Sequence, residues 1–362
     1  MNRTIAIAGL GVAGRTIHLP AYSRLPSVRI VGGFDPAARA GGFPFPLFPS
    51  LQAMLEQAKP DILAVASPPD LHFEQARQGL LAGCHVFCEK PFTAALEEAD
   101  ELIELSQKSG RWLVVNQEFR FMETNVAVKQ SIGSVEFGDL LFLSAHQTFP
   151  VSDASEVGWR GQGTQRTCRE FGIHVLDLCR FFFDEEPRSI RARMPRGRNA
   201  GGPDHLDLIE LSFSGDRAAQ IILDRITRGP HRYLDMRIDG SEGTIETSLG
   251  GRLALHAGIR GGARKPFLNI DFSRGGRARL YHGERFKTIA SEPSGIFAHA
   301  TAGLFRAFID ALDNNAVPPC HAEDARRSLA LVLAAYESDA KKLAIELPNE
   351  KKSEYPRNVT HP

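Results

Sequence analysis

A glycine-rich turn set between a short apolar run and a helical pattern constrains this chain more than any other feature. Thr4 to Ala8 reads as a buried strand, Gly9-Leu10-Gly11-Val12-Ala13-Gly14 follows it directly, and helical spacing runs from Ala13 to Arg24. Strand, Gly-x-Gly-x-x-Gly and helix in that order suit a dinucleotide pyrophosphate. The glycines let the backbone come close, and the helix N-terminus offers amide donors and the positive end of its dipole. The pattern then repeats. Val28 to Phe34, Ile62 to Ala66, His85 to Cys88 and Trp112 to Val115 read as strands, with helical stretches at Leu51 to Gln57, Leu71 to Ala82 and Ala94 to Ser109 between them. Wholly apolar strands separated by helices predict an α/β fold: a doubly wound parallel sheet covered on both faces, with ligands outside the carboxyl ends of its strands.

The pattern changes after Asn116. Period-two alternation marks strands at Asp139 to Gln147, Asp207 to Phe213, Ala218 to Ile226 and Leu234 to Asp239, joined in part by the turns Ser214-Gly215-Asp216 and Gly240-Ser241-Glu242-Gly243. Helices are expected near Arg169 to Phe183, Thr301 to Asn314 and Ala322 to Leu343. A length of 362 residues suits two domains. The division expected is 1–120 for the dinucleotide unit, 121–345 for a substrate-binding and oligomerising unit whose last helices pack back on the first, and a polar tail over 346–362.

Lys+Arg and Asp+Glu both number 43, so there is no general basic footprint for nucleic acid, although Arg is dense between Arg188 and Arg198. The five cysteines form no Cys-x-x-Cys and read as reduced and buried. No secretory signal or bilayer-length apolar run is evident, so the expectation is a cytoplasmic protein with no membrane partner. No metal-binding or nucleophile motif is present, so neither a metal nor a Ser or Cys nucleophile is expected.

Three features carry chemistry. Asp35 ends the second strand, where a carboxylate accepts from both ribose hydroxyls and repels a 2′-phosphate. That favours NAD, while nearby Arg39 keeps NADP open. Glu89-Lys90-Pro91 puts an ammonium group at the end of a buried strand, at the mouth of the crevice. Alone it would read as a surface lysine, but an X-Pro bond that can be cis fixes the preceding side chain in a tight turn. Glu170, His174 and Asp177, spaced i, i+4 and i+7, read as a polar helix face on which two carboxylates flank an imidazole and raise its basicity. The plainer reading of the same spacing is a solvated charged face.

Taken in order, these motifs resemble the Gfo/Idh/MocA oxidoreductases (glucose–fructose oxidoreductase, inositol 2-dehydrogenase, rhizopine catabolism protein). The likeness covers nearly the whole chain. It includes the glycine loop, His18-Leu19-Pro20, Asp35, Ser67-Pro68-Pro69-Asp70-Leu71-His72, Glu89-Lys90-Pro91, Arg120-Phe121, Trp159-Arg160, Gly172-Ile173-His174-Val175-Leu176-Asp177 and Leu333-Ala334-Ala335-Tyr336-Glu337-Ser338.

The resemblance implies an N-terminal Rossmann domain and a C-terminal α/β domain with a large, mostly antiparallel open sheet. That sheet commonly makes the oligomer interface, so a homodimer or homotetramer is expected. It also implies an NAD(P)-dependent enzyme acting on a CH–OH group of a sugar, sugar acid or cyclitol. Lys90 matches the lysine that binds the reacting hydroxyl, His174 the general base, and Pro91 the residue after a cis peptide. Cofactor contacts fall on Gly9, Gly11, Val12, Ala13, Gly14, Asp35, Ser67, Pro68, His72, Glu89 and Lys90. Substrate contacts fall on Lys90, Arg120, Trp159, Arg160, His174 and Asp177, with His231 a further candidate by position.

Two departures stand out. Glu170 occupies a position usually held by Asp, where it is expected to stabilise the imidazolium of His174. Arg166 and Arg169 add positive charge beside it, which would favour a carboxylated substrate or simply pair with Glu170. The Pro-rich segment Gly41 to Pro49 is expected to loosen the adenine pocket. Two alternatives remain at this level: a dinucleotide-binding sensor without turnover, and a hydrolase or lyase that recycles its NAD.

Overall fold

The computed structural model describes residues 3–39, 42–150, 163–196, 202–229, 232–250, 252–260, 265–273 and 275–348. The first sheet is built from β1 (Arg3–Ala8), β2 (Val28–Phe34), β3 (Ile62–Val65), β4 (His85–Cys88) and β5 (Leu113–Val115). All are parallel, in the order β2-β1-β3-β4-β5. The helices between them are α1 (Leu19–Tyr22), α2 (Leu51–Ala58), α3 (His72–Leu81) and α4 (Leu96–Ser109).

Alternate side chains of the same strand serve opposite faces. Ile5, Ile7, Ala64 and Phe87 join one buried cluster, and Ala6, Ala8, Val65 and Val86 the other. This is why the strands carry no polar alternation. Residues 42–49 are not loose. Gly33 donates to the Pro46 carbonyl at 2.9 Å and its own carbonyl accepts from Phe48 at 3.0 Å, so the Phe/Pro segment lies along the edge of β2. A glycine pair permits that approach: a Cβ on Gly33 would sit 2.7 Å from the Phe45 ring.

The second sheet has nine strands, ordered β15-β14-β11-β10-β6-β9-β8-β7-β16. In chain order they are β6 (Leu140–Thr148), β7 (Ser189–Arg193), β8 (Leu206–Ser212), β9 (Ala218–Asp224), β10 (Arg232–Gly240), β11 (Thr244–Leu249), β14 (Gly276–His282), β15 (Arg285–Ser291) and β16 (Ile345–Glu346). β12 (Arg252–Arg260) and β13 (Lys265–Ser273) form a separate hairpin. Every pairing in the nine-stranded sheet is antiparallel except β6 with β9. The short strand β16 pairs with β7, and Leu347 donates to the Arg188 carbonyl, so the ordered chain continues past the expected tail boundary at 346.

Helices α5 (Glu123–Ser131) and α6 (Ile173–Phe183) pack on the inner face of the sheet, while α7 (Ile296–Asp313) and α8 (Ala322–Lys341) return toward the first sheet. Phe305 meets Tyr22 and Phe87, and Arg326 forks onto Asp100 of α4. The carboxyl ends of β4 and β5 are thereby brought against α6.

Candidate active site

The glycine loop leaves β1 through Gly9 at φ +95°, and a Cβ there would lie 2.4 Å from the Ser67 amide nitrogen. A Cβ on Gly14 would lie 2.3 Å from the Gly9 carbonyl oxygen, whereas one on Gly11 would meet nothing within 4 Å. The loop is therefore closed beneath and open above, with Val12 78% exposed and Ala13 half-buried at its rim. The helix that follows opens with a π-helical turn over Gly14–His18.

Asp35 ties this loop to the next. One carboxylate oxygen accepts from Leu10 N at 2.7 Å and the other from Ala37 N at 2.8 Å, and each keeps a further lone pair. Arg39 is exposed four residues on. Closed glycine cradle, open amide rim and pinned carboxylate fit an NAD-type dinucleotide, which Gly9 to Gly14 and Asp35 would hold.

The Lys90–Pro91 bond is cis. Lys90 Nζ donates to the Glu170 carbonyl at 2.7 Å and lies 5.7 Å from the centre of the Phe171 ring. The cation of the first sheet thus reaches the entry to α6, one turn before His174. His174 is 2% exposed and stacks on Phe119 with ring centres 4.0 Å apart and planes within 9°. Burial, and then the Lys90 charge, hold it well below the ordinary imidazole range, so it is neutral at neutral pH and able to accept a proton.

The carboxyl beside it is not the expected one. Glu118 Oε1 lies 4.0 Å from His174 Nε2, whereas Glu170 turns to Arg166 at 3.4 Å. The reason is local: Cys168–Gly172 forms a π-helical turn ahead of α6. Its wider winding breaks the i, i+4 alignment that would have put Glu170 over His174. Several buried polar atoms at this mouth have no partner among the described residues: His174 Nδ1, Glu118 Oε2, Asn116 Oδ1 and both ends of the Gln117 amide. Phe119, Phe149, Phe171, Tyr233 and Phe297 pack in sequence around it.

Other predicted contacts are engaged in structure. Arg120 forks onto Asp177 at 2.7 and 2.6 Å and reaches Asp324 at 2.6 Å. Asp177 also accepts from Ser328 at 2.7 Å and faces Arg180 at 3.5 Å. Both expected substrate ligands are therefore partners in a buried ion network joining the turn Glu118–Phe121 to α6 and α8. The Glu89 carboxylate accepts from His18, from Asn116 and from the Lys90 amide. Burial pushes its pKa up, but His18, Lys90 and Asn116 outweigh burial and bring it down to about 2. His72 places its two ring nitrogens 2.8 Å from the Pro91 and Ser67 carbonyls, clamping the two loops from below rather than entering the crevice. The Ser67 hydroxyl donates to Gln75, and Pro68 precedes a short turn over Pro69–Leu71. Trp159, Arg160 and His231 lie outside the described residues. Among the described residues, no group of three or more His, Cys, Asp or Glu is placed to hold a metal ion.

Two family models match: the oxidoreductase family with an NAD-binding Rossmann fold over residues 3–117, and the Gfo/Idh/MocA C-terminal domain over 125–246. The chain belongs to the Gfo/Idh/MocA family. It is 25% identical over 356 residues to D-apiose dehydrogenase from Paraburkholderia graminis, spanning 94% of this chain and 89% of that protein. It is 25% identical over 359 residues to inositol 2-dehydrogenase from Rhizobium meliloti, spanning 96% of this chain and all of that one. The fold matches an Agrobacterium radiobacter oxidoreductase crystallised with NAD+, L-tartaric acid and magnesium, at TM-score 0.79 and 18% identity over 96% of this chain and 98% of that one. As a Gfo/Idh/MocA member the chain is an NAD(P)-dependent oxidoreductase with the expected Rossmann domain and large, mostly antiparallel second sheet.

Sequence reasoning missed Glu118 and Phe119. The available signal was their place immediately past the carboxyl end of β5, where a parallel sheet presents its crevice.

Proposed function

We propose that this protein oxidises or reduces a CH–OH carbon of a sugar, sugar acid or cyclitol at the meeting point of Lys90 and His174. The observation that carries this is the convergence of a residue just past β4 with one on α6: Lys90 Nζ bonds the Glu170 carbonyl and its charge reaches the buried, neutral imidazole. A bound nicotinamide dinucleotide supplies a hydride acceptor or donor. In the oxidation direction, His174 takes the hydroxyl proton. Lys90 holds the same oxygen and offsets the negative charge that develops on it. Asn116 Oδ1 and both ends of the Gln117 amide, which have no partner among the described residues, suit a ligand with several hydroxyls, and the aromatic wall suits its C–H faces. The names of the relatives, a pentose dehydrogenase and a cyclitol dehydrogenase, agree with this class. The pinned Asp35 favours NAD over NADP.

Positioned proton transfer contributes about 10²–10⁴-fold, so roughly 3–5 kcal/mol of barrier reduction rests on His174. The test is cofactor reduction measured against a panel of sugars, sugar acids and cyclitols, repeated with Lys90→Ala and His174→Ala. Near-normal turnover by both variants on a panel substrate would refute the assignment.

Self-association through the open face of the nine-stranded sheet belongs to the same reading. Its outward positions Arg191, Arg193, Glu210, Arg237 and Glu246 are exposed, and light scattering gives the subunit number. Five free, buried cysteines favour a reducing, cytosolic setting. No helix among the described residues is long and apolar enough to cross a membrane.

A further inference from the structure

We propose that Glu118 is the proton-exchange partner of His174, filling the place that the sequence offers to Glu170; this rests on the reading of His174 as the base. Glu118 begins the turn Glu118–Phe121, and the next residue, Phe119, fixes the plane of the imidazole by stacking on it. Stacking leaves both ring nitrogens at the edges. Nε2 faces Glu118 Oε1 at 4.0 Å, and Nδ1 has no partner among the described residues. An imidazole held this way takes a proton at one nitrogen and releases one at the other. Exchange requires this 4.0 Å separation to close to hydrogen-bond length with substrate in the site, and catalytic contacts are often long without it. Glu118 Oε2 likewise has no partner among the described residues, and the residue is 4% exposed, which leaves His174 as the titratable ring it faces.

The charges around Glu118 decide its resting state. Glu89 and Lys90 face it from the end of β4, Asp177 and His174 from α6, and Tyr233 from β10. Burial, then repulsion by Glu89, raise its pKa to about 8 against the opposing pull of Lys90. Asp177 adds to the rise. Near neutrality Glu118 therefore carries a proton and His174 does not.

In the reduction direction, the substrate carbonyl carbon gains hydride from the dinucleotide and the C–O π bond breaks onto oxygen. That oxygen takes a proton from one nitrogen of His174. The other nitrogen takes the Glu118 proton, leaving a carboxylate. Oxidation reverses each transfer and needs Glu118 ionised beforehand. The kcat for oxidation should rise with pH toward about 8, and that for reduction should fall above it.

Glu118→Gln keeps the side-chain volume but has no titratable proton to give or take. The first arm of the test needs no substrate. In the intact wild-type protein labelled with ¹⁵N-histidine, the His174 ring signals, assigned by their loss in His174→Asn, should inflect near pH 8 and be flat in Glu118→Gln. The second arm uses a substrate from the panel. There Glu118→Gln should lower kcat by about 10²-fold with little change in KM and lose the pH inflection, with Glu118→Asp recovering part of the rate. Circular dichroism confirms folding of each variant. Unchanged ring titration and an unchanged kcat–pH profile in Glu118→Gln, with turnover abolished in His174→Ala, would overturn this proposal alone. Full turnover by His174→Ala would remove the base assignment and this proposal with it.

Discussion

Replacing Asp177 by alanine separates the two roles open to it, because the structure assigns it to a buried ion pair and the sequence to substrate. Its side chain is 1% exposed and that of Arg120 is 2% exposed. Two short bonds from Arg120, at 2.7 and 2.6 Å, and one from Ser328 at 2.7 Å end on its carboxylate. The surrounding network sets Arg120, Arg180 and Arg327 against Asp177, Glu186 and Asp324. Alanine takes from the buried Arg120 the carboxylate it forks onto, for which the expected loss is about 3–5 kcal/mol. At roughly 2 °C per kcal/mol for a protein of this size, the calorimetric Tm should fall by roughly 6–10 °C. The double variant Arg120→Met/Asp177→Leu removes one charge of each sign and should recover most of that loss. A Tm within about 2 °C of wild type, accompanied by loss of substrate affinity in Asp177→Ala, would refute the structural reading and restore Asp177 as a ligand.

Glu89→Gln should destabilise the protein on the order of 3 kcal/mol at neutral pH. The folded pKa of Glu89 lies below its unfolded value, so this contribution is complete above about 4.5 and is lost as pH falls toward 2. Urea midpoints of wild type and variant should therefore differ at pH 7 and converge on acidification. Asp35→Ala unties Leu10 N and Ala37 N and should weaken NAD binding while raising the NADP to NAD preference, read by calorimetric titration with each dinucleotide. Tyr336→Phe removes the hydroxyl that donates to Asp204 at 2.9 Å, and a loss of about 1 kcal/mol in urea denaturation is expected.

The first sheet was legible because β3, β4, β5 and most of β1 are buried on both faces, so their runs show no polar alternation. In the second sheet the strands β7, β11, β14, β15 and β16 escaped sequence reading. Arg191 and Arg193 in β7, Glu246 in β11 and Arg277 and Arg279 in β14 alternate out on the wetter face, and β15 is mostly exposed, so such stretches look like charged loops. Glu118 escaped for another reason: nothing in Asn116-Gln117-Glu118-Phe119 has a periodicity, and its meaning comes only from standing at a strand end opposite a helix 55 residues later in the chain.

The amino-acid order alone determined the cofactor cradle, the positions of Lys90 and His174 and the sheet that carries the first of them. These depend on local chemistry: glycines where backbone must pass close, apolar runs where both faces are covered, a proline after the lysine. Tertiary structure decided which carboxyl meets the imidazole. A π-helical turn over Cys168–Gly172 swings Glu170 onto Arg166, α8 and Arg120 claim Asp177, and the turn after β5 delivers Glu118. Spacing along a helix says which side chains share a face, but only the elements packed against that face determine what those side chains touch.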